Sequence, residues 1–247
     1  MPEAPPEFTE AGSALRPFPA ASDVFAAEQV FLARHLHPLV SVDLGAVNSA
    51  WSGWLHLLSP LEPADGLVGM HTEAFHSELL RTNWIGFKVI DGRYRLMGDP
   101  RYFLLENNAD DFPDPYKGAR QELEQHYAEQ ERSYNASREY FLRTGKLVHL
   151  DKKGKPLYGN EEAAPLVDAM SGTAEYGNWV DTVEFPVEHH VDESRDIREV
   201  WPLSPTGRRF HHIASVAGWN YRTIGADTIL LFYEPVEGLA LLTFDWT

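Results

Sequence analysis

A short cluster of histidine and carboxylate side chains is the first candidate for metal chemistry. The segment His71-Thr-Glu73-Ala-Phe-His76-Ser-Glu78 holds two imidazoles and two carboxylates within eight positions. Imidazole and carboxylate groups are ligands that divalent zinc, manganese and iron accept in proteins. The five-residue step between the histidines puts them on different faces of an ideal helix, so a metal site here requires a turn. The alternative is a solvated or helix-capping segment.

The second cluster is the run Glu188-His-His-Val-Asp-Glu193. In an extended strand, Glu188, His190 and Asp192 share one face, while His189 and Glu193 lie on the other. One face therefore combines two carboxylates with an imidazole, which suits a divalent metal under one interpretation. Under the other interpretation, the run is an exposed acidic strand end or loop whose carboxylates contact a basic partner.

A third candidate is the acidic segment between Glu106 and Asp114, which contains Asp110, Asp111 and Phe112. It lacks the DxDxDG order and the distal glutamate of an EF-hand calcium loop. One interpretation is a loop that ends in a helix cap at Asp114. The functional alternative is a recognition loop for a basic partner, with Phe112 as an apolar anchor among the carboxylates.

Aromatic residues beside glycine mark two predicted turns, Trp51-Ser-Gly-Trp54 and Gly218-Trp-Asn-Tyr221. Exposed rings in such turns would serve as contact points for a protein or stack on a sugar. Buried rings would fill the core, which is the commoner position for large aromatic side chains. The sequence leaves both interpretations open.

Composition excludes several function classes. The 247 residues include 37 acidic and 21 basic side chains, which gives a formal net charge of −16. Phosphate backbones and anionic lipid headgroups repel such a chain, so we expect no nucleic-acid and no membrane partner. The absence of cysteine excludes disulfides, thiolate catalysis and Cys-ligated metals. The acidic, proline-rich beginning of the chain is unlike a secretory signal and leads us to expect a cytoplasmic protein.

Turn chemistry and apolar runs predict the strands that would carry these candidates. Asp91-Gly92 lies between the alternating runs 84–90 and 93–97 and is the preferred two-residue hairpin turn. The runs 228–234 and 239–246 are nearly continuous in apolar residues. Strands of that kind are buried on both faces, so we expect both runs in the middle of a sheet.

Capping residues predict two helices. Asp114 as N-cap, Pro115 at the first helical position and Gly145 after the end delimit a long amphipathic helix over about 115–144. A shorter helix is expected over about 23–36, stopped by Pro38. The predicted fold class is α+β, a mainly antiparallel sheet on which both helices pack. Residues 1–21 are predicted to form a flexible proline-rich arm, and 22–247 one domain or two tightly packed subdomains that divide near 145–178.

Two functions remain in competition at this stage. The first is a non-catalytic acidic module that binds a basic protein, such as an immunity or antitoxin-type inhibitor, since the GxxxxGK[ST], GxGxxG, GxSxG and HExxH signatures of common enzymes are absent. It needs no cofactor, and its predicted contact residues are Asp110, Asp111, Phe112, Asp114, Glu188, Asp192 and Glu193. The second is a hydrolase or oxygenase that uses a divalent metal. Its ligand pool is His71, Glu73, His76, Glu188, His190 and Asp192.

Overall fold

The computed structural model describes residues 8–62, 66–108, 112, 119–181, 185–194 and 197–246. Within these ranges the strands are β1 Leu15–Pro17, β2 Leu36–Asp43, β3 Trp54–Pro60, β4 Leu80–Arg81, β5 Trp84–Ile90, β6 Arg93–Leu96, β7 Ala169–Met170, β8 Ala174–Glu175, β9 Val187–Asp192, β10 Ile197–Pro202, β11 His211–Val216, β12 Thr228–Glu234 and β13 Leu239–Asp245. The α-helices are α1 Ala21–Val24, α2 Leu44–Val47, α3 Arg120–Thr144 and α4 Asn178–Asp181. Short 3₁₀ helices lie at Ala27–Arg34, Glu73–Phe75, Pro100–Tyr102, Leu104–Glu106, Leu157–Gly159 and Gly218–Asn220. The fold class is therefore α+β.

The central sheet has the strand order β4-β5-β13-β12-β11-β7, and β6 also pairs with β5. Its strand pairings are all antiparallel. The predicted hairpin is confirmed, because Ile90 pairs with Arg93 across a turn in which Asp91 and Gly92 have φ values of 50° and 74°. Both turn residues thus adopt the left-handed conformation that favours an Asp-Gly pair.

Strands β12 and β13 lie in the middle of this sheet, as their apolar runs predict. Ile229 and Leu231 of β12 face one core cluster, whereas Leu230 and Phe232 face a second one. The first cluster includes side chains of β2 and β3, and the second includes Val200 of β10. The central sheet is thus covered by the β1-β2-β3 sheet on one face and by the small β8-β10-β9 sheet on the other.

The N-terminal residues 8–21 are more ordered than the predicted flexible arm. Strand β1 pairs with β2, and Leu15 and Phe18 are buried. The Phe18 ring contacts the rings of Tyr134, Phe141 and Tyr221. The prediction of an arm is therefore wrong for residues 8–21, since apolar side chains spaced among the prolines bind this segment to the core, and residues 1–7 lie outside the described ranges.

The predicted helix over 23–36 is also corrected. Helix α1 ends at Val24, and Phe25 is extended, fully buried and bridged to Tyr94 of β6. The N–H of Ala26 donates to the Tyr94 carbonyl (2.9 Å), after which the chain continues as the 3₁₀ helix. Leu36 already belongs to β2. Burial of Phe25 against the hairpin therefore outweighs the local preference for a continuous helix.

Helix α3 lies within the range predicted for the long helix and ends at Gly145, whose φ of 73° provides the left-handed C-cap. The predicted start at 114–115 lies outside the described ranges. The buried side of the helix carries Leu123, Tyr127, Gln130, Tyr134, Ser137 and Tyr140. The Tyr134 hydroxyl donates to the Pro38 carbonyl of β2 (2.5 Å), so this side of the helix contacts the β1-β2-β3 sheet.

Candidate functional site

The small sheet presents the candidate site. Strand β10 lies in its centre, with β8 on one side and β9 on the other. The register pairs Glu199 of β10 with Glu175 of β8 and with His190 of β9. On the β9 side it also pairs Trp201 with Glu188. Directly paired residues of antiparallel strands point to the same face, so these side chains lie next to one another.

The two faces of the small sheet differ in character. Val200 is buried in the cluster that contains Trp179 and Phe185, so its face packs on the central sheet. Because side chains alternate along a strand, Glu199 and Trp201 point the other way. We call that side the outer face; its members are Glu175, Glu188, His190, Asp192, Glu199 and Trp201. The register therefore places Glu188, His190 and Asp192 on one face, as the alternation along the strand predicts.

One carboxylate of the outer face is neutralised. Arg209 donates to both carboxylate oxygens of Glu188, from Nε at 2.8 Å and from Nη2 at 2.5 Å. This hydrogen-bonded partner lowers the pKa of the Glu188 carboxyl. The guanidinium also lies 4.4 Å from the centre of the Trp201 ring. Arg209 and Glu188 therefore add no net charge to the surface.

Glu175 and Glu199 have no basic side chain paired with them in an ion pair, as far as the structure describes the chain. Glu199 accepts a hydrogen bond from the Thr173 hydroxyl at 3.0 Å. Asp192 Oδ1 accepts bonds from the N–H and the hydroxyl of Ser194, which closes the turn after β9. Glu175 is exposed, and so is Glu193 in that turn. The outer face is therefore a net acidic surface.

The metal hypothesis receives no support from this arrangement. In the described ranges, no three histidine or carboxylate side chains are placed to hold a metal ion. His76 Nε2 lies 2.9 Å from the Gly69 carbonyl, and Glu73 Oε1 accepts the N–H of His71 at 3.1 Å. His71 has a left-handed backbone, with φ of 78°. The first cluster is therefore a turn whose polar groups bond locally, in the connection between β3 and β4.

The acidic segment before α3 is described only in part. Asp110, Asp111 and Asp114 lie outside the described ranges, so their role stays a prediction. Phe112, expected to be an exposed apolar anchor, is 1% exposed. It packs in a cluster with Leu105, Leu123 and Tyr127. That expectation is wrong, because the Phe112 ring is buried between α3 and the segment that precedes it.

A buried polar network under α3 was missed by the sequence reasoning. The Tyr127 hydroxyl lies 2.6 Å from Glu62 Oε1 and 2.9 Å from His35 Nδ1. His35 Nε2 lies 2.7 Å from Glu106 Oε1. Burial raises the pKa of Glu62 and lowers the pKa of His35 to about 4, so both groups favour their neutral forms. The network connects α3 to the segments that flank β2 and β3.

A second part of this network surrounds Arg222. Arg222 is buried and donates from Nη2 to the Pro60 carbonyl, while its Nη1 lies 3.3 Å from His37 Nδ1. His37 Nε2 lies 2.7 Å from Glu131 Oε2, and its ring stacks on Tyr134 at 4.2 Å. The His35-Leu-His37 motif lies directly before Pro38. Nothing in that local sequence indicates burial against a distant helix.

The two aromatic turns do not form an open stacking surface. Tyr221 is buried, and Trp51 packs against His211 and Tyr233. The Arg16 guanidinium covers Trp54, 3.7 Å from the ring centre. Trp219 is 44% exposed. Of these four aromatic side chains Tyr221 is buried, Trp51 and Trp54 are half-buried against neighbours, and Trp219 is exposed.

Comparison with protein-family models gives no match, and comparisons with curated proteins and with solved structures give none either. In the described ranges, no helix combines the length and the apolar character that crossing a bilayer requires.

Proposed function

We propose that the protein is a non-catalytic binding module that captures a partner protein with a basic surface through the outer face of the small sheet. The observation that carries the proposal is the row Glu175, Glu199 and His190 across three neighbouring strands. It sets two carboxylates side by side, with no basic residue of the described chain paired to either.

Such a row works against the stability of the isolated sheet. Like charges directly opposite each other in antiparallel strands are destabilising. A lysine or arginine side chain of a partner placed over Glu175 and Glu199 would remove this repulsion. The net charge of −16 would also speed association, because it attracts a basic partner towards the protein.

A stoichiometric inhibitor of the immunity or antitoxin type is the concrete form of this proposal. Carboxylates on a surface can occupy a basic groove that otherwise binds phosphates. Asp192 and Glu193 border the row and extend the proposed contact surface, and Glu188 belongs to that surface as a carboxylate already paired with Arg209. Asp110, Asp111 and Asp114 remain predicted contact residues of the same kind.

Charge reversal tests the proposal. The probe is a ten-residue peptide of alternating lysine and valine, and its dissociation constant is measured by isothermal titration calorimetry at low salt. We expect the double variant Glu175→Lys with Glu199→Lys to bind at least tenfold more weakly than the wild type. The matched control is Glu122→Lys with Glu139→Lys, which makes the same net-charge change at exposed positions of α3.

The control should lose less than threefold in affinity. Equal losses in both double variants would show that net charge alone attracts the peptide, and unchanged binding in the outer-face variant would exclude this surface. Circular dichroism and a thermal melt of each variant establish that a loss of binding is not a loss of folding.

A further inference from the structure

We infer that a cavity beside α3 binds a small zwitterionic molecule with a carboxamide group, that is, a free amino acid whose side chain ends in an amide. The cavity has a volume of about 170 Å³ and lies between α3, the turn 151–154 and the segment 223–224. Helix α3 contacts the β1-β2-β3 sheet, whereas the small sheet covers the opposite face of the central sheet. The cavity is therefore separate from the outer face.

Local contacts hold the walls of the cavity together. Asp151 Oδ1 accepts two backbone N–H groups of its own turn, at 2.8 and 3.0 Å. A Cβ placed on Gly154 would lie 3.5 Å from the Ala136 Cβ, so this turn lies directly against α3. On the other side, the N–H of Thr223 donates to Ser133 Oγ at 2.8 Å and joins its segment to the same helix. The three walls are thus fixed around the cavity.

Gln130 in the cavity wall has an amide oxygen that lacks a donor. The residue is 2% exposed, and its Oε1 has no hydrogen-bond partner in the described part of the chain. A buried acceptor without a donor costs free energy. A carboxamide group of a ligand would satisfy it, because its NH₂ donates to Oε1 while its oxygen accepts from Nε2. The torsion that orients a glutamine amide is broad, so the amide can turn towards such a ligand.

The lining also carries charges of both signs. Lys152 is exposed and makes no ion pair within the described ranges. Glu129 and Arg132 are only loosely paired, with 4.0 Å between their charged atoms. Asp151, the remaining charged residue of the lining, is engaged by the N–H groups of its turn. A zwitterion can therefore place its carboxylate beside Lys152 and Arg132 and its ammonium group beside Glu129, without bringing a net charge to the site.

The volume limits the ligand to a small molecule. A cavity of about 150 Å³ is enough to hold benzene. Asparagine, the smallest amino acid with an amide side chain, is therefore the ligand of matching size.

Calorimetry of the full-length protein with free amino acids tests the inference. The probes are L-asparagine and L-leucine, which have the same net charge and nearly the same branched shape, although leucine has methyl groups in place of the amide. We expect L-asparagine to bind about tenfold or more tightly than L-leucine, because leucine leaves the Gln130 amide without partners. Gln130→Leu should abolish this preference. Gln125→Leu, at an exposed position of the same helix, should keep it.

Two further measurements separate binding from folding. Replacing an unpaired buried amide by an apolar side chain of similar size should leave the thermal midpoint of Gln130→Leu unchanged or higher. Lys152→Glu, at an exposed position, should weaken L-asparagine binding about threefold or more by repelling the carboxylate. The wild type and Lys152→Glu decide the question if Gln130→Leu fails to fold.

Three results would overturn the inference. Absence of binding by both amino acids would show that the cavity holds only water. Equal affinities for L-asparagine and L-leucine would exclude recognition of the carboxamide. An unchanged preference in Gln130→Leu would exclude Gln130 as the group that reads it. All three would leave the outer face untouched, since the lysine–valine peptide tests that surface separately.

Discussion

Acidification should destabilise this protein between pH 6.5 and 4, because three buried histidines resist protonation in the folded state. Burial lowers the pKa of His35, His37 and His56 to about 4 in each case. In the unfolded chain these imidazoles titrate near their ordinary value of about 6.5. The unfolded state therefore binds more protons within this window, so the free energy of unfolding falls as the pH falls.

His56 gives the clearest local picture. Its Nε2 lies 2.9 Å from the Gly92 carbonyl, and its Nδ1 lies 2.8 Å from the Ser41 hydroxyl. With the proton on Nε2, Nδ1 accepts from Ser41. Protonation of Nδ1 turns it into a donor, so the Ser41 hydroxyl has to accept and a charged ring is buried in the core. At pH 5 the imidazole is almost fully charged in the unfolded chain and almost neutral in the folded protein. This difference lowers the free energy of unfolding by about 2 kcal/mol per histidine.

Together the three histidines should lower the free energy of unfolding at pH 5 by about 6 kcal/mol relative to neutral pH. The total free energy of unfolding of a typical protein is about 5–15 kcal/mol. Glu62 opposes part of this loss, because burial raises its pKa and the folded state then gains stability as the pH falls. The assay is urea unfolding followed by tryptophan fluorescence at pH 7.5, 6 and 5. His56→Gln should reduce the pH dependence by about 2 kcal/mol.

An equal free energy of unfolding at pH 7.5 and pH 5 would refute acid destabilisation by the buried histidines. A His56→Gln variant that keeps the full pH dependence of the wild type would refute the contribution of His56.

Two further substitutions test packing in the core. Tyr127→Phe removes a hydroxyl shared by two buried polar groups and should lower the free energy of unfolding by about 1–3 kcal/mol in urea titrations; Tyr158→Phe, at a 99% exposed position, should change it by less than about 0.5 kcal/mol. Gly86→Ala places a Cβ 2.5 Å from the Leu79 Cβ. This substitution should lower the free energy of unfolding by about 1–3 kcal/mol and the thermal midpoint with it. Gly12→Ala meets no atom within 4 Å and should leave the midpoint unchanged. An unchanged midpoint for Gly86→Ala would contradict the close approach of these two segments.

Elements specified by local chemistry could be predicted from the sequence. The Asp91-Gly92 hairpin and the central position of β12 and β13 follow from turn preference and from apolar runs, which need no knowledge of distant residues. The helix expected over 23–36 fails because Phe25 is bound by β6, a contact between segments far apart in sequence. Tertiary burial overrides local propensity there.

The candidate site was predictable in one strand only. Alternation along β9 places Glu188, His190 and Asp192 on one face, and this follows from the period of two. The neighbours Glu175 and Glu199 belong to β8 and β10, and nothing in their local sequence specifies that these strands pair. The metal interpretation assumed that the two histidine clusters would meet. No described group of three ligands forms, because each cluster belongs to a different part of the fold.

The central claim is that the outer face of the small sheet is the binding surface, and the most direct test is to map a bound peptide on the protein. In ¹⁵N-edited NMR spectra, titration with the alternating lysine–valine decapeptide should shift amide signals of Glu175, Glu199 and 187–192 first and most strongly. Shifts concentrated on α3, or spread evenly over all exposed acidic residues, would contradict the account.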